Sequence, residues 1–275
     1  VILYNTKKSH ERMWDEEFFV QSVYGQDIGR RLRLEARAKY VSSWNRYADT
    51  DVKYPGGRHV ETYRQNEYYA SATIGWFPFR GLSLSLAQDA FVNTLSSNTE
   101  NHAAPRRLTS LTALTARWTA GRAEIGAGLV ATWATEHVER GDRPSDRRRL
   151  SPSAAFSLRL LRNEALYLRA MYKHTFRLPA FNDMYYARSG TSTLVPEKAE
   201  ELNVGLAWTS RPTGCLAYVR LTADCFHNSV KDKIVAFPTL YVWKMANFGK
   251  VRINGLDATI AARVERRTRF RRHSM

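Results

Sequence analysis

What narrows the possible folds of this chain most is a strict alternation of apolar and polar residues over strand-length segments. Leu32, Leu34, Ala36, Ala38 and Tyr40 fall on one face, while Arg31, Arg33, Glu35, Arg37 and Lys39 fall on the other. The same phase returns in Leu82, Leu84 and Leu86 against Ser83 and Ser85, and in Leu166, Leu168, Ala170 and Tyr172 against Arg169 and Lys173. It returns again in Leu256, Ala258 and Ile260 against Asp257 and Thr259. A period of two belongs to strands, not helices. Five ionisable residues sharing one face mean that this face meets water, either bulk solvent or a wet lumen. Alternation over about ten residues is what a membrane-crossing strand needs.

The connections carry a second regularity. Short turns are expected at Gln26 to Gly29, Phe77 to Gly81, Thr119 to Gly121, Leu161 to Glu164 and Arg211 to Gly214. Longer polar connections are expected at Ala48 to His59, Ser96 to Ala104, Val138 to Arg148, Leu178 to Lys198 and Val230 to Lys250. Short and long alternate, as they do between the two ends of an outer-membrane barrel. The segments between them number about twelve. The expected fold is therefore all-β: an antiparallel up-and-down transmembrane barrel wall, incomplete, with residues 1–275 as one domain.

Composition decides less. The chain is 44% hydrophobic, and no run approaches the roughly 18 apolar residues of a membrane helix. A soluble protein and a barrel both fit those numbers, because barrel strands show only every second residue to lipid. A net charge of +16 is the usual footprint of nucleic-acid binding. Here, however, the arginines alternate within strands instead of forming one block. A basic lumen and rim would attract anionic ligands or lipopolysaccharide phosphates, and no nucleic-acid partner is expected. The alternative is a soluble basic β-protein that binds nucleic acid or a polyanionic glycan. Cys215 and Cys225 lie ten residues apart on one strand, about 33 Å, so no disulfide is expected; both fall in phase with lipid-facing positions. No nucleophile elbow, H-E-x-x-H, P-loop or G-x-G-x-x-G occurs in the sequence. The reading is of a non-enzyme with no catalytic residues, no cofactor and no metal site.

The segment from Tyr172 to Gly205 joins a strand end, a polar and aromatic loop, and a charged strand opening. Phe176, Arg177, Pro179, Phe181, Asp183, Tyr185 and Tyr186 fit an F-R-x-P-x-F-x-[DE]-x-Y-Y element, and Leu194, Pro196, Glu197, Lys198, Ala199 and Glu200 fit L-x-P-E-x-[AS]-E. Phe226 to Val235, then Asn247, Gly249, Val251, Ile253, Gly255, Leu256 and Asp257, supply a further ordered pair. Together these elements resemble the barrel domain of TonB-dependent outer-membrane receptors, whose barrels have about 22 strands. The resemblance implies an outer-membrane location and uptake of a scarce solute, most simply a ferric siderophore or other iron chelate. It also implies outer-membrane lipid and lipopolysaccharide as surroundings. A TonB energy-transducing complex would act through a plug segment that has no counterpart here, so the chain is expected to be a fragment of a receptor.

Within the signature, Arg177, Tyr185 and Tyr186 are the candidate ligand-binding residues. Their structural alternative is a strand-end clasp, with Arg177 pairing Asp183 or Glu197 and the tyrosines at the headgroup belt. Ser189-Gly190-Thr191-Ser192 reads as flexible linker, and Glu197, Lys198, Glu200 and Glu201 as a solvated strand extension. His59, His102 and His137 fall in or beside three long loops, where haem or metal capture competes with simple exposure. The segment from Leu178 to Leu194 holds no histidine, which weakens a haem reading. The Arg263 to Arg272 run would form a basic periplasmic turn or a ragged end.

Overall fold

The computed structural model describes residues 10–50, 58–162, 165–211, 216–239 and 243–264. Eleven antiparallel strands make one sheet in sequence order: β1 (Glu11–Ile28), β2 (Leu32–Asp49), β3 (His59–Trp76), β4 (Leu82–Ser97), β5 (Arg106–Ala120), β6 (Ala123–His137), β7 (Arg147–Arg159), β8 (Ala165–Arg177), β9 (Glu197–Ser210), β10 (Leu216–Pro238) and β11 (Trp243–Val264). One short helix, α1 (Phe181–Tyr185), lies between β8 and β9. Eleven described strands stand beside the expected twelve. β1 and β11 are the edges of the sheet and do not pair with each other among the described residues.

The register turns the alternation into rows. Leu32, Trp76, Leu84, Ala116, Ala127, Ala154 and Tyr172 follow one another across seven neighbouring strands. Phe156, Ala170, Val204, Cys225 and Leu256 continue the next row around the wall. Most of these side chains are exposed, Leu256 at 68%, and the rest are half-buried by their row neighbours; none is buried, so the apolar face covers no protein layer. A soluble sheet would bury that face under a second protein layer, whereas a membrane strand leaves it for lipid; the soluble alternative fails on this point. Cys225 faces outward as expected, while Cys215 and most of the terminal arginine run lie outside the described residues. Trp76 and Tyr68 bound the apolar stretch of β3. Eight residues separate them, about 27 Å along the strand and about 20 Å across a membrane at a tilt near 40°.

Three of the expected short turns, those ending at Gly29, Gly81 and Gly121, lie between described strands, while those expected at Leu161 to Glu164 and Arg211 to Gly214 include residues outside the described ones. Gly29, Gly81 and Gly121 all take positive φ there, a conformation that glycine adopts at little cost. One expected long loop is wrong. β10 continues to Pro238 and β11 already begins at Trp243, so residues 230–250 are mostly paired strand. Ile234 and Met245 are apolar on the inward face and pack under the β8–β9 connection. The polar side chains that suggested a loop line the outer face of a hairpin standing beyond the apolar band.

Burial concentrates at the end of the sheet that carries the long connections. Tyr63 and Leu95 face inward, and Phe181 of α1 packs on them. Pro152 contributes to the room for this. It has no N–H to offer, and the β7–β8 ladder stops next to it at Ser153↔Lys173. The β8–β9 ladder runs on to Arg177↔Glu197. Above that point the 178–196 connection folds onto the inner surface.

Candidate functional site

The site is built from strand ends and one folded connection. Arg107 is the second residue of β5 and Glu136 the penultimate residue of β6; the two are direct cross-strand partners. Arg107 Nε donates to Glu136 Oε2 at 2.6 Å, and its Nη1 donates to the Pro179 carbonyl at 2.7 Å. Its guanidinium also lies 4.8 Å from the centre of the Phe181 ring. Arg107 and Glu136 are both buried, so the pair is held by geometry and by added hydrogen bonds instead of by water. Arg147 approaches the same carboxylate at 3.7 Å and donates to the Leu194 carbonyl at 3.5 Å. Two guanidinium groups thus surround one carboxylate, leaving a local excess of positive charge under the loop.

Tyr185 donates its hydroxyl to Glu136 Oε1. Burial is the main reason its phenol resists ionisation, and the Glu136 carboxylate adds to the effect. Tyr186 stacks on Tyr63 with ring centres 3.9 Å apart and receives a hydrogen bond from Gln65 Nε2 at 3.4 Å. Burial also raises its pKa. Both tyrosines are half-buried on the inner surface. Their expected alternative place at the headgroup belt is therefore incorrect, because the strand-end proline turn sends the chain inward instead of along the wall. Arg177 bridges both carboxylates offered as its alternatives, Asp183 and Glu197, each at 3.3 Å. Asp183 also accepts from Ala180 N at 3.0 Å, closing the first turn of α1.

The segment read as flexible linker is instead fixed. Gly190 N donates to Tyr186 O at 2.8 Å, Thr191 N to Asp183 O at 2.9 Å, and Met245 N to Ser189 O at 2.9 Å. A Cβ at position 190 would lie 2.6 Å from Tyr186 O and 2.7 Å from Met184 O, so the close approach needs a residue without one. Asn247 completes the clamp. Its amide gives and takes one hydrogen bond with the Val195 backbone, at 3.0 and 2.9 Å, and also donates to Asp232 O at 2.7 Å. Glu197, expected as solvated, accepts from Ile234 N at 3.2 Å.

The histidines do not converge. His59 meets Glu61 at 2.7 Å, His102 Nε2 lies 3.1 Å from the Leu95 carbonyl, and His137 pairs across from Arg106. Among the described residues no group of three or more His, Cys, Asp or Glu side chains could hold a metal. Sequence reasoning singled out Arg177, Tyr185 and Tyr186 but missed Tyr63, Arg107, Glu136 and Arg147. Their signal was position: each is an inward-phase residue within a few places of a long connection.

The folded connection thus sets Tyr185 and Tyr186 over the inward strand residues Tyr63, Arg107, Glu136 and Arg147. Residues 4–272 match the family model described as TonB dependent receptor-like, beta-barrel. A stretch of 84 residues is 29% identical to the vitamin B12 transporter BtuB of Vibrio vulnificus (strain YJ016), covering 30% of this chain and 13% of that protein. Among solved structures, the copper transporter OprC superposes with a TM-score of 0.70 at 15% identity, over 90% of this chain and 43% of that one. The haemophore receptor HasR of Serratia marcescens gives 0.70 at 15% identity, over 94% and 47%. The chain thus spans less than half the length of these proteins.

Proposed function

Since the chain belongs to the TonB-dependent receptor-like β-barrel family, we propose that it forms part of the wall and outer mouth of a receptor importing a scarce solute, most simply an iron chelate. It lies in the outer membrane, with the short turns on the periplasmic side and the folded 178–196 connection outside. The family is one of transport receptors, not enzymes.

The observation that carries the cargo reading is the mouth cluster. Arg177, whose side chain is exposed, and Arg188 lie at or in a tyrosine-rich loop, with Arg188 Nη1 3.0 Å from the Tyr47 hydroxyl, while Arg107 and Arg147 sit beneath the loop against Glu136. An anionic, aromatic-bearing chelate matches positive charge and stacking surfaces together. Arg177, Tyr185 and Tyr186 would take part at the loop itself, where a ligand competes with Glu136 and Tyr63 for the two phenols. Names among the relatives point to vitamin B12, copper and haemophore-borne haem, and a ferric-catecholate receptor also superposes. Energy coupling would come from a TonB complex acting on a plug.

Deleting the gene in its host and growing the strain under iron starvation tests the reading. Uptake of radiolabelled iron from one or more siderophores should fall and return on complementation. Unchanged iron uptake together with lost cobalamin or copper uptake would overturn the iron-chelate assignment.

A further inference from the structure

Above the apolar band, on the outward face of the last three strands, three lysines occupy one cross-strand row. Lys231 of β10 pairs directly with Lys198 of β9 on one side and with Lys250 of β11 on the other. Like charges placed directly opposite are destabilising in a sheet, so the row calls for an anion. Within the protein the compensation is thin. Lys198 has Asp232 at 4.0 Å, while Lys231 and Lys250 are exposed and have no acidic partner among the described residues.

The row below reads His174, Glu200, Ser229 and Arg252 across β8 to β11. Its one carboxylate, Glu200, turns toward His174 at 3.9 Å, and Arg252 is exposed and unpartnered among the described residues. The next row down is mixed, with apolar Leu202 on β9 beside His227 and Asn254 on β10 and β11, and the lipid-facing row of Val204, Cys225 and Leu256 follows beneath it. Lys198 stands four residues before Leu202 on β9, about 13 Å nearer the outer end of the strand, a height at which lipid headgroups begin. Phe248, the next outward residue beyond Lys250, is 47% exposed and caps the basic row with an aromatic ring.

We infer that Lys198, Lys231, Lys250 and Arg252 form a binding site for the phosphates of a phosphorylated glycolipid of the outer leaflet. The argument is charge complementarity together with continuity: the basic row is the upward extension of the surface that already faces acyl chains. The central lysine, flanked on both sides by lysines of described strands, is the key position. The inference rests on the outer-membrane placement and not on the cargo, so a failed iron-uptake test leaves it standing.

The test uses the receptor purified from outer membranes and placed in phosphatidylcholine nanodiscs with diphosphoryl lipid A or its dephosphorylated form. Native mass spectrometry counts the retained lipid. The phosphorylated form should be retained preferentially, and Lys231→Ala with Lys250→Ala should weaken retention on the order of tenfold or more. Lys231→Arg with Lys250→Arg should keep it, and Arg33→Ala on the lumen face should leave it unchanged. Equal retention of both lipids in the unmodified protein would overturn the site without any variant. So would full competition by equimolar inorganic phosphate, an equal loss in Arg33→Ala, or retention that survives the double alanine change.

Discussion

Asp224 of β10 pairs with Arg169 of β8 over the top of Gly205, which sits on the strand between them. Arg169 Nη2 lies 3.0 and 2.9 Å from the two carboxylate oxygens, and all three residues share one cross-strand row. Two strand spacings are about 9.6 Å, so the side chains must lie flat across the middle strand. A Cβ at Gly205 would come within 2.6 Å of Asp224 Cγ. The next strand repeats the device, with the Phe226 ring laid over Gly255.

Gly205→Val should break this bridge. The side chains are 40% and 24% exposed, so solvent screening holds the pair to about 1 kcal/mol. In urea unfolding from lipid vesicles, Asp224→Ala should cost about that much in the unmodified protein and close to nothing beside Gly205→Val. Equal costs in both backgrounds would count against the bridge.

The buried Arg107–Glu136 pair should be far less tolerant. Arg107→Ala leaves Glu136 with Tyr185 and the more distant Arg147, and leaves the Pro179 carbonyl without its donor. A loss of about 3–5 kcal/mol is expected. Tyr185→Phe removes one hydrogen bond to a charged group and should cost about 1.5–3 kcal/mol. Thermal unfolding of both variants in the same membrane checks the order; a larger loss for the tyrosine change would contradict it.

Tyr185 also carries a pH signature. Its folded pKa is raised above the ordinary value of 10.0, first by burial and then by Glu136. The stability it contributes is therefore complete below about pH 10 and is lost as pH climbs toward the folded value, because the unfolded phenol ionises first. Tyrosinate absorbance at 295 nm should show a late-titrating phenol that is absent from Tyr185→Phe. An unchanged titration curve in that variant would refute the assignment.

Gly190→Ala tests whether the signature connection is a fixed body. The added methyl meets two carbonyl oxygens, those of Met184 and Tyr186, and backbone oxygens cannot swing aside as a side chain end can. Protease cleavage within residues 178–196 of membrane-embedded protein should rise at least several-fold, with β-strand content unchanged by circular dichroism. Equal cleavage rates would mean that the loop has room to spare.

Much of the wall could be read from residues alone. The two-residue turn at Gly121 and Arg122 sets Ala120 opposite Ala123, and counting back equally along both strands brings Arg107 opposite Glu136. That pair was legible to anyone who trusted the turn. The long β10–β11 hairpin was not, because Lys231, Asp232, Lys233 and Lys250 are as polar as a loop. Only the register shows Lys231 and Lys233 alternating with inward Val230 and Ile234.

The sequence by itself determined which side chains meet lipid and which meet water, since period two leaves no other assignment for Leu32 to Tyr40 or for Leu256 to Ile260. It also placed the turns at Gly29, Gly81 and Gly121, through glycines that take positive φ. Tertiary structure alone decided where Tyr185 and Tyr186 go. Loop residues have no period to follow. Their direction depends on the end of the β7–β8 ladder beside Pro152, on Gly190 fitting against two carbonyls, and on Asn247 of a strand 52 residues away from Val195. Such contacts join distant parts of the chain, and no local pattern encodes them.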